Sequence, residues 1–167
     1  MEKHSEILGS VEQYYSGKIK THGAVPQGVD WKDRDSQLLR FEQLLKIKRL
    51  ESDYSLNDIG CGFGTLAELL QKTGKTFRYQ GSDISPEMLA AAQSQFNGSP
   101  NIRFFARTHE LPQSDYSVAS GIFNVRLQHT TEAWERYIDS VLSEMDRLST
   151  KGFAFNMLTK YSDADRM

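Results

Sequence analysis

Short apolar segments alternate with helix-forming segments through most of this 167-residue chain. The apolar segments are nearly continuous rather than alternately apolar and polar, which is typical of strands buried on both faces. We expect strands at 54–59, 77–82, 102–106, 116–123 and 152–158. Strands that alternate with helices predict an α/β fold of three layers, with a mainly parallel sheet. A ligand of such a sheet binds in the loops at the carboxyl ends of its strands.

The segments between the strands carry helical signals. We expect helices at 35–50, 65–71 and 86–96. The last of these has Ser85 as its predicted N-cap. The clearest signal is an apolar stripe at helical spacing from Trp134 to Leu148, which we interpret as core packing.

Composition indicates a globular protein of about one domain. The chain has 20 Lys and Arg against 22 Asp and Glu, a balance that argues against a nucleic-acid partner because such a binder needs a basic face. No apolar run reaches the roughly 18 residues of a membrane span, and the first residues lack a signal peptide's apolar core, so we expect a cytoplasmic protein without a membrane partner. With the single cysteine Cys61 and four histidines without ligand spacing, neither a disulfide nor a metal site is expected.

The first 33 residues contain few aliphatic side chains. We expect at most a short helix and then a loop there, forming a lid outside the core, with the domain proper at 34–167. Aromatic and basic residues alternate in this segment, among them Tyr14, Tyr15 and Trp31, which also suggests stacking on single-stranded nucleic acid. Neighbouring acidic residues weaken that alternative, so we favour a lid that excludes water.

The run DIGCGFG at 58–64 lies directly after a predicted strand and directly before a predicted helix. Glycines there let the backbone turn sharply and let a ligand approach the helix N-terminus. A second acid, Asp83, follows the next strand, where it is suited to accept hydrogen bonds from two ribose hydroxyls. A purely structural turn is the alternative, which the pair of acids disfavours.

Spacing and charge indicate the type of cofactor. Thr65 occupies the place of the third glycine of a dinucleotide-binding loop. The carboxylate of Asp58 would repel a pyrophosphate, whereas it would favour the ammonium and sulfonium groups of S-adenosylmethionine. These residues favour S-adenosylmethionine over NAD and leave an NAD-dependent oxidoreductase as a weaker alternative.

From about Phe41 to Leu158 the sequence resembles the class I, Rossmann-like S-adenosylmethionine-dependent methyltransferases, on DIGCGFG and on GSDISPEML at 81–89. The resemblance implies a Rossmann-like sandwich and methyl transfer that leaves S-adenosylhomocysteine. It implies that the first acid and the glycines hold the methionine part, that the second acid binds the ribose, and that two apolar side chains flank the adenine. The cofactor-binding residues would be Asp58, Gly60, Cys61, Gly62, Gly64, Asp83, Ile84 and Met88. We expect Cys61 to be a small buried side chain rather than a nucleophile.

The sequence departs from the family pattern at two places. Arg107 stands where the family often has an acid near the adenine, so adenine recognition would rest on backbone groups and stacking. The family also has an antiparallel hairpin after the fifth strand, whereas only a short tail follows Leu158. We expect either a truncated form or a fifth strand whose edge is covered by the lid or by a partner, for which a homodimer is one candidate.

Methyl transfer requires that two molecules be positioned, and a proton acceptor is optional. The candidate catalytic residues are His129, Tyr15 and Asn124, with Tyr14, His22 and Asn156 as further polar candidates. Arg126, if it faces the cleft, suits a carboxylate or phosphate on the acceptor. The sequence thus predicts a methyltransferase with an unidentified small-molecule acceptor. A non-catalytic cofactor-binding or partner-docking module is the alternative from another class.

Overall fold

A five-stranded, all-parallel sheet forms the centre of the protein. The computed structural model describes residues 4–29, 32–48 and 53–158, so Trp31 of the predicted lid lies outside the described residues. The strands are β1 (Asp53–Ile59), β2 (Thr76–Ser82), β3 (Ile102–Phe105), β4 (Ser114–Ser120) and β5 (Ser149–Asn156). Their order in the sheet is β3-β2-β1-β4-β5. Because the order reverses between β1 and β4, the loops after these strands border the crevice where such sheets bind ligands.

Helices cover both faces of the sheet, which confirms the predicted three-layer α/β fold. They are α1 (His4–His22), α2 (Arg34–Leu44), α3 (Thr65–Lys72), α4 (Pro86–Gln95) and α5 (Thr131–Leu148). Side chains of α2, α3 and α4 pack on the face that carries Val118. Met145 and Leu148 of α5 pack on the face that carries Ala119. Successive residues of a strand point to opposite faces, so these two clusters lie on opposite sides of the sheet. None of the helices in the described ranges has the length and apolar character needed to cross a membrane.

The predicted elements are present, with several shifted ends. β4 stops at Ser120 rather than at 123, because Gly121 has a φ of +79° and turns the chain out of the sheet. β5 begins at Ser149, directly after α5, rather than at 152. The helix predicted at 35–50 ends at Leu44 and continues as a short 3-10 helix, and its last two predicted residues lie outside the described ranges.

The N-terminal helix is the main correction to the predicted fold. The sparse aliphatic residues predict at most a short helix outside the core, whereas α1 has 19 residues. Ile7 and Val11, one turn apart, are buried in a cluster with Trp134 of α5. Ile19, near the other end of α1, is buried in a cluster with Met88 of α4. Three buried aliphatic side chains at these positions are enough to hold α1 as a long helix, because tertiary packing contributes more to the stability of a helix than its composition does.

Polar contacts also join α1 to the start of α4. The hydroxyl oxygens of Ser16 and Ser85 lie 2.8 Å apart in a buried hydrogen bond. At the surface, Lys20 forms an ion pair of 2.7 Å with Glu87. α1 therefore rests on both α4 and α5. The boundary between a lid and a domain proper stays a prediction.

The packing of α1 makes it part of the cooperative unit that unfolds. Ile7, which is 2% exposed, should cost about 2–5 kcal/mol of unfolding free energy when changed to Ala, because a cavity replaces its side chain. Leu39→Ala is the matched control, since Leu39 is 54% exposed and should change that free energy by no more than about 0.5 kcal/mol. Urea denaturation followed by circular dichroism measures both. An unchanged midpoint for Ile7→Ala would show that α1 unfolds separately.

Candidate active site

A cavity of about 1130 Å³ opens at the carboxyl ends of β1, β2 and β4. Its walls come from the loops that follow these strands and from α1, α2 and α5. The predicted site residues on its walls are Asp58, Gly60, Cys61, Gly62, Asp83, Ile84, Met88, Tyr15 and Asn124. The structure therefore brings most of the predicted cofactor residues together, whereas Gly64 and His129 do not line the cavity.

The glycine-rich loop between β1 and α3 is hydrogen-bonded to the end of β2. The N–H groups of Gly60 and Cys61 both donate to the carbonyl oxygen of Ser82, at 2.8 and 2.9 Å. Gly60 has a φ of +73°, and a Cβ at this position would lie 2.2 Å from Cγ2 of Ile122. Backbone conformation and close packing therefore both require glycine here.

Gly64, at the end of the same loop, contributes to the packing of α3. It is the N-cap of that helix and has a φ of +90°. A Cβ here would lie 2.6 Å from Cε2 of Phe96, so only glycine lets the helix start against this ring. Its predicted role in holding a cofactor stays a prediction.

Asp83 directly follows β2 and bridges two loops. Its Oδ2 accepts from the N–H of Gly62 at 2.8 Å, and its Oδ1 accepts from the N–H of Ser85 at 2.9 Å. Burial raises the pKa of Asp83, and these backbone donors partly oppose that shift. As predicted, Ser85 is the N-cap of α4, because its Oγ accepts from the N–H of Met88. Asp83 is therefore not needed to cap the helix.

Asp58 lies at the cavity end of β1 and is 2% exposed. Its Oδ2 accepts a hydrogen bond of 2.6 Å from the hydroxyl of Tyr79. The pKa of Asp58 is raised to about 7, because burial raises it more than the hydrogen bond from Tyr79 lowers it, and the charge of Asp83 adds to the increase. Neutral and charged forms of this acid are therefore close in free energy near neutral pH, and a cation beside it would favour the charged form.

Cys61 fills space within the glycine-rich loop. Its Sγ packs against Gly81, where a Cβ would lie 2.8 Å from the sulfur. Burial raises the pKa of the Cys61 thiol, and a buried protonated thiol is a poor nucleophile. This supports the predicted packing role. Across the three described ranges, no group of His, Cys, Asp and Glu side chains is arranged to hold a metal ion.

Two wall residues were missed by sequence analysis. Tyr137 belongs to the stripe interpreted as core packing, and its ring stacks on Trp134 with 5.0 Å between centroids, yet it also lines the cavity. Burial raises the pKa of Tyr137 to about 12. Gln37 of α2 is 3% exposed and lines the same cavity. The available signals were a tyrosine within an aliphatic stripe and an amide beside apolar helix positions, neither of which points to a site by itself.

The candidate catalytic residues take different places. Tyr15 lines the cavity from α1, and Asn124 lines it from the loop after β4. Oδ1 of Asn124 also accepts from the N–H of Leu158 at 2.9 Å, which ties this loop to the chain after β5. The N–H of His129 donates to the carbonyl oxygen of Arg126 at 3.3 Å. This turn leads directly into α5, and His129 is not among the residues that line the cavity. Its catalytic role stays a prediction.

The fold and the site together define a class of protein. A parallel sheet of this order, with a glycine-rich loop after β1 and an acid after β2, is a Rossmann-like domain that binds a nucleoside-containing cofactor. Residues 57–152 match the family model described as "Methyltransferase domain". Over 123 residues the chain is 42% identical to a Mycobacterium tuberculosis protein named "Putative methyltransferase Rv1506c", covering 74% of each chain. The chain therefore belongs to the class I, Rossmann-like methyltransferase family.

Solved structures share the fold at low sequence identity. The N-methyltransferase NodS from Bradyrhizobium japonicum, in complex with S-adenosyl-L-homocysteine, matches with a TM-score of 0.63 and 16% identity, over 83% of this chain and 67% of that one. The DhpI-SAM-HEP complex matches with a TM-score of 0.62 and 19% identity, over 97% of this chain and 70% of that one. At these identities the likeness establishes the fold.

The packing around Gly60 predicts a large cost for a side chain there. Gly74 is a matched control, because its φ of +65° is similar and a Cβ there would meet nothing within 4 Å. Gly74→Ala should lower the free energy of unfolding by about 1–2 kcal/mol from backbone strain alone. Gly60→Ala should cost roughly 1–3 kcal/mol more, because of the contact with Ile122. If both variants lose the same free energy of unfolding in urea denaturation, the loop can shift to accommodate the Ala side chain at position 60.

The raised pKa of Asp58 predicts a pH-dependent stability. Its ordinary value is 3.8, so between about pH 4 and pH 7 the folded state holds a proton that the unfolded chain has released. Stability therefore falls as the pH rises through this window and levels off above it. Asp58→Asn cannot ionise, so the wild type should lose stability relative to this variant by at most about 1.4 kcal/mol per pH unit. Parallel pH profiles of the two proteins in urea denaturation would contradict this assignment.

Proposed function

We propose that this protein binds S-adenosylmethionine and transfers its methyl group to a small-molecule acceptor. The observation that carries the proposal is the pair of acids at the glycine-rich end of the cavity, Asp58 at the end of β1 and Asp83 after β2. Membership of the methyltransferase family supports the reaction type.

The chemistry of this end of the cavity fits the cofactor. Each carboxylate oxygen of Asp83 accepts one backbone N–H and retains a lone pair, so the pair can still accept from ribose hydroxyls. Asp58 is placed to offset a positive charge, which an ammonium or sulfonium group would bring. Ile84 and Met88 supply an apolar wall for the adenine.

The size of the cavity fits two ligands. Sites for small ligands usually have volumes of about 300–1,000 Å³. The cavity here, at about 1130 Å³, leaves room for an acceptor beside a cofactor. Neither an NAD-dependent oxidoreductase nor a non-catalytic module gains support from the site.

Different residues of this chain would then bind the cofactor, exclude water and orient the acceptor. When bound, the cofactor supplies a methyl group that is already activated on a sulfonium. Asp83 and the glycine-rich loop fix the position of the cofactor, and α1 excludes water by closing one wall. Tyr15 and Asn124 line the remaining space, where their hydrogen-bonding groups would orient the acceptor.

Calorimetric titration with S-adenosylmethionine and S-adenosylhomocysteine tests the proposal. The wild type should bind both and should not bind NAD. Asp83→Ala should weaken binding by roughly 1–3 kcal/mol, because it removes charged hydrogen bonds to the ribose. Asp53→Ala is the matched control, since this exposed acid lies at the opposite end of β1, and it should bind like the wild type.

Two outcomes would contradict the proposal in different ways. A folded wild type that binds neither adenosyl ligand would make the glycine-rich loop purely structural and favour a partner-docking module. If Asp83→Ala binds the cofactor with unchanged affinity, the cofactor assignment stands, but Asp83 does not contribute to its binding site. Formation of S-adenosylhomocysteine from S-adenosylmethionine in the presence of an acceptor would demonstrate turnover.

A further inference from the structure

The cavity is lined by both acidic and basic side chains. Two of its acids lie at the glycine-rich loop, and the third, Glu144 of α5, forms a two-pronged ion pair with Arg147, with N–O distances of 2.6 and 2.9 Å. The wall formed by α1, α2 and the loop after β4 instead carries cationic side chains. These are Lys18, Arg40 and Arg126. Lys32 and Arg107 line the cavity as well, so five Lys and Arg side chains accompany three acids, one of which is already paired.

Arg126, in this wall, has unused hydrogen-bonding capacity. Its Nη1 donates to Oγ1 of Thr131 at 2.7 Å. Its Nε is buried and has no acceptor among the described residues, and none of the ion pairs found in those residues involves Arg126. A guanidinium has five N–H donors, and a neutral hydroxyl uses only one of them. A planar anion with two oxygens is the ligand that best satisfies such a group.

Gln37 adds a second unsatisfied polar group to the same cavity. Its side chain is 3% exposed, and its Oε1 has no hydrogen-bond donor among the described residues. Buried amide oxygens are almost always hydrogen-bonded, so this oxygen is an exception. A hydroxyl or amino group on the acceptor would bond to it only after a movement of the Gln37 side chain toward the cavity.

We propose that the methyl acceptor is a small molecule with an anionic group, a carboxylate or a phosphate ester, which Arg126 binds in the cationic wall of the cavity. This inference rests on the proposed function, because it names the class of substrate for the same site. It assigns Arg126 a role in binding and positioning, and it requires no proton transfer by this residue.

Binding of simple anions tests the inference without knowledge of the natural acceptor. The probes are benzoate, phenyl phosphate and the neutral analogue benzamide, each titrated by calorimetry into the protein with S-adenosylhomocysteine present. At least one anion should bind about tenfold more tightly than benzamide, and Arg126→Gln should remove that advantage, because the charged hydrogen bonds are lost. Arg126→Lys keeps the charge and should restore part of the affinity.

Arg136→Gln is the matched control, because Arg136 is an exposed residue of α5 that does not line the cavity and the change in net charge is the same. It should bind the anions like the wild type, and thermal denaturation should show that every variant is folded. Tighter binding of benzoate would indicate a carboxylate acceptor, and tighter binding of phenyl phosphate a phosphate ester.

The two proposals fail in distinguishable ways. If S-adenosylhomocysteine binds but the anions bind no better than benzamide, or bind equally to Arg126→Gln, the acceptor class is overturned and the proposed function stands. If S-adenosylhomocysteine does not bind to the folded wild type, the proposed function fails and the inference fails with it.

Discussion

The carboxylate of Asp83 joins the two loops on which the cofactor end of the cavity depends. One oxygen holds the N–H of Gly62 in the loop after β1, and the other holds the N–H of Ser85 at the start of α4. The carbonyl of Ser82 adds two more bonds to the first of these loops. Since β1 and β2 are paired along their whole length, these contacts fix the loop relative to the sheet. The other walls of the site come from α1, α2 and α5, which pack mainly on β4, β5 and α4 rather than on these two strands.

Burying the carboxylate of Asp58 beside the cavity has a cost in desolvation free energy. A carboxylate that is 2% exposed is poorly solvated, and its single hydrogen bond from Tyr79 compensates only in part, which is why its pKa lies near 7. In a purely structural turn, an uncharged polar side chain could take the place of Asp58 without the free-energy cost of removing a carboxylate from water. Retaining an ionisable group here is reasonable where a positively charged ligand restores its charge on binding, as the proposed cofactor would.

The parts of the site that sequence analysis could predict are those fixed by local backbone rules. Positive φ at Gly60 and the N-cap geometry of Ser85 depend on a few neighbouring residues, so the strand, loop and helix around them are readable from the sequence. The positions of α1 and Tyr137 depend instead on contacts between distant segments. The position of His129 could not be predicted from the sequence either, because the turn from Arg126 to His129 determines which residues of the loop line the cavity.

The serine pair joins α1 to the N-terminal end of α4. Ser85 donates its N–H to Asp83, and its hydroxyl is hydrogen-bonded to Ser16 on α1. Tyr15 and Lys18, within two residues of Ser16 on the same helix, line the cavity. Moving α1 away from α4 would therefore break a buried hydrogen bond at the residue whose N–H is bound by Asp83. Because a buried hydrogen bond would be lost, the packing of α1 on α4 and the order of the loop around Asp83 should stabilise one another.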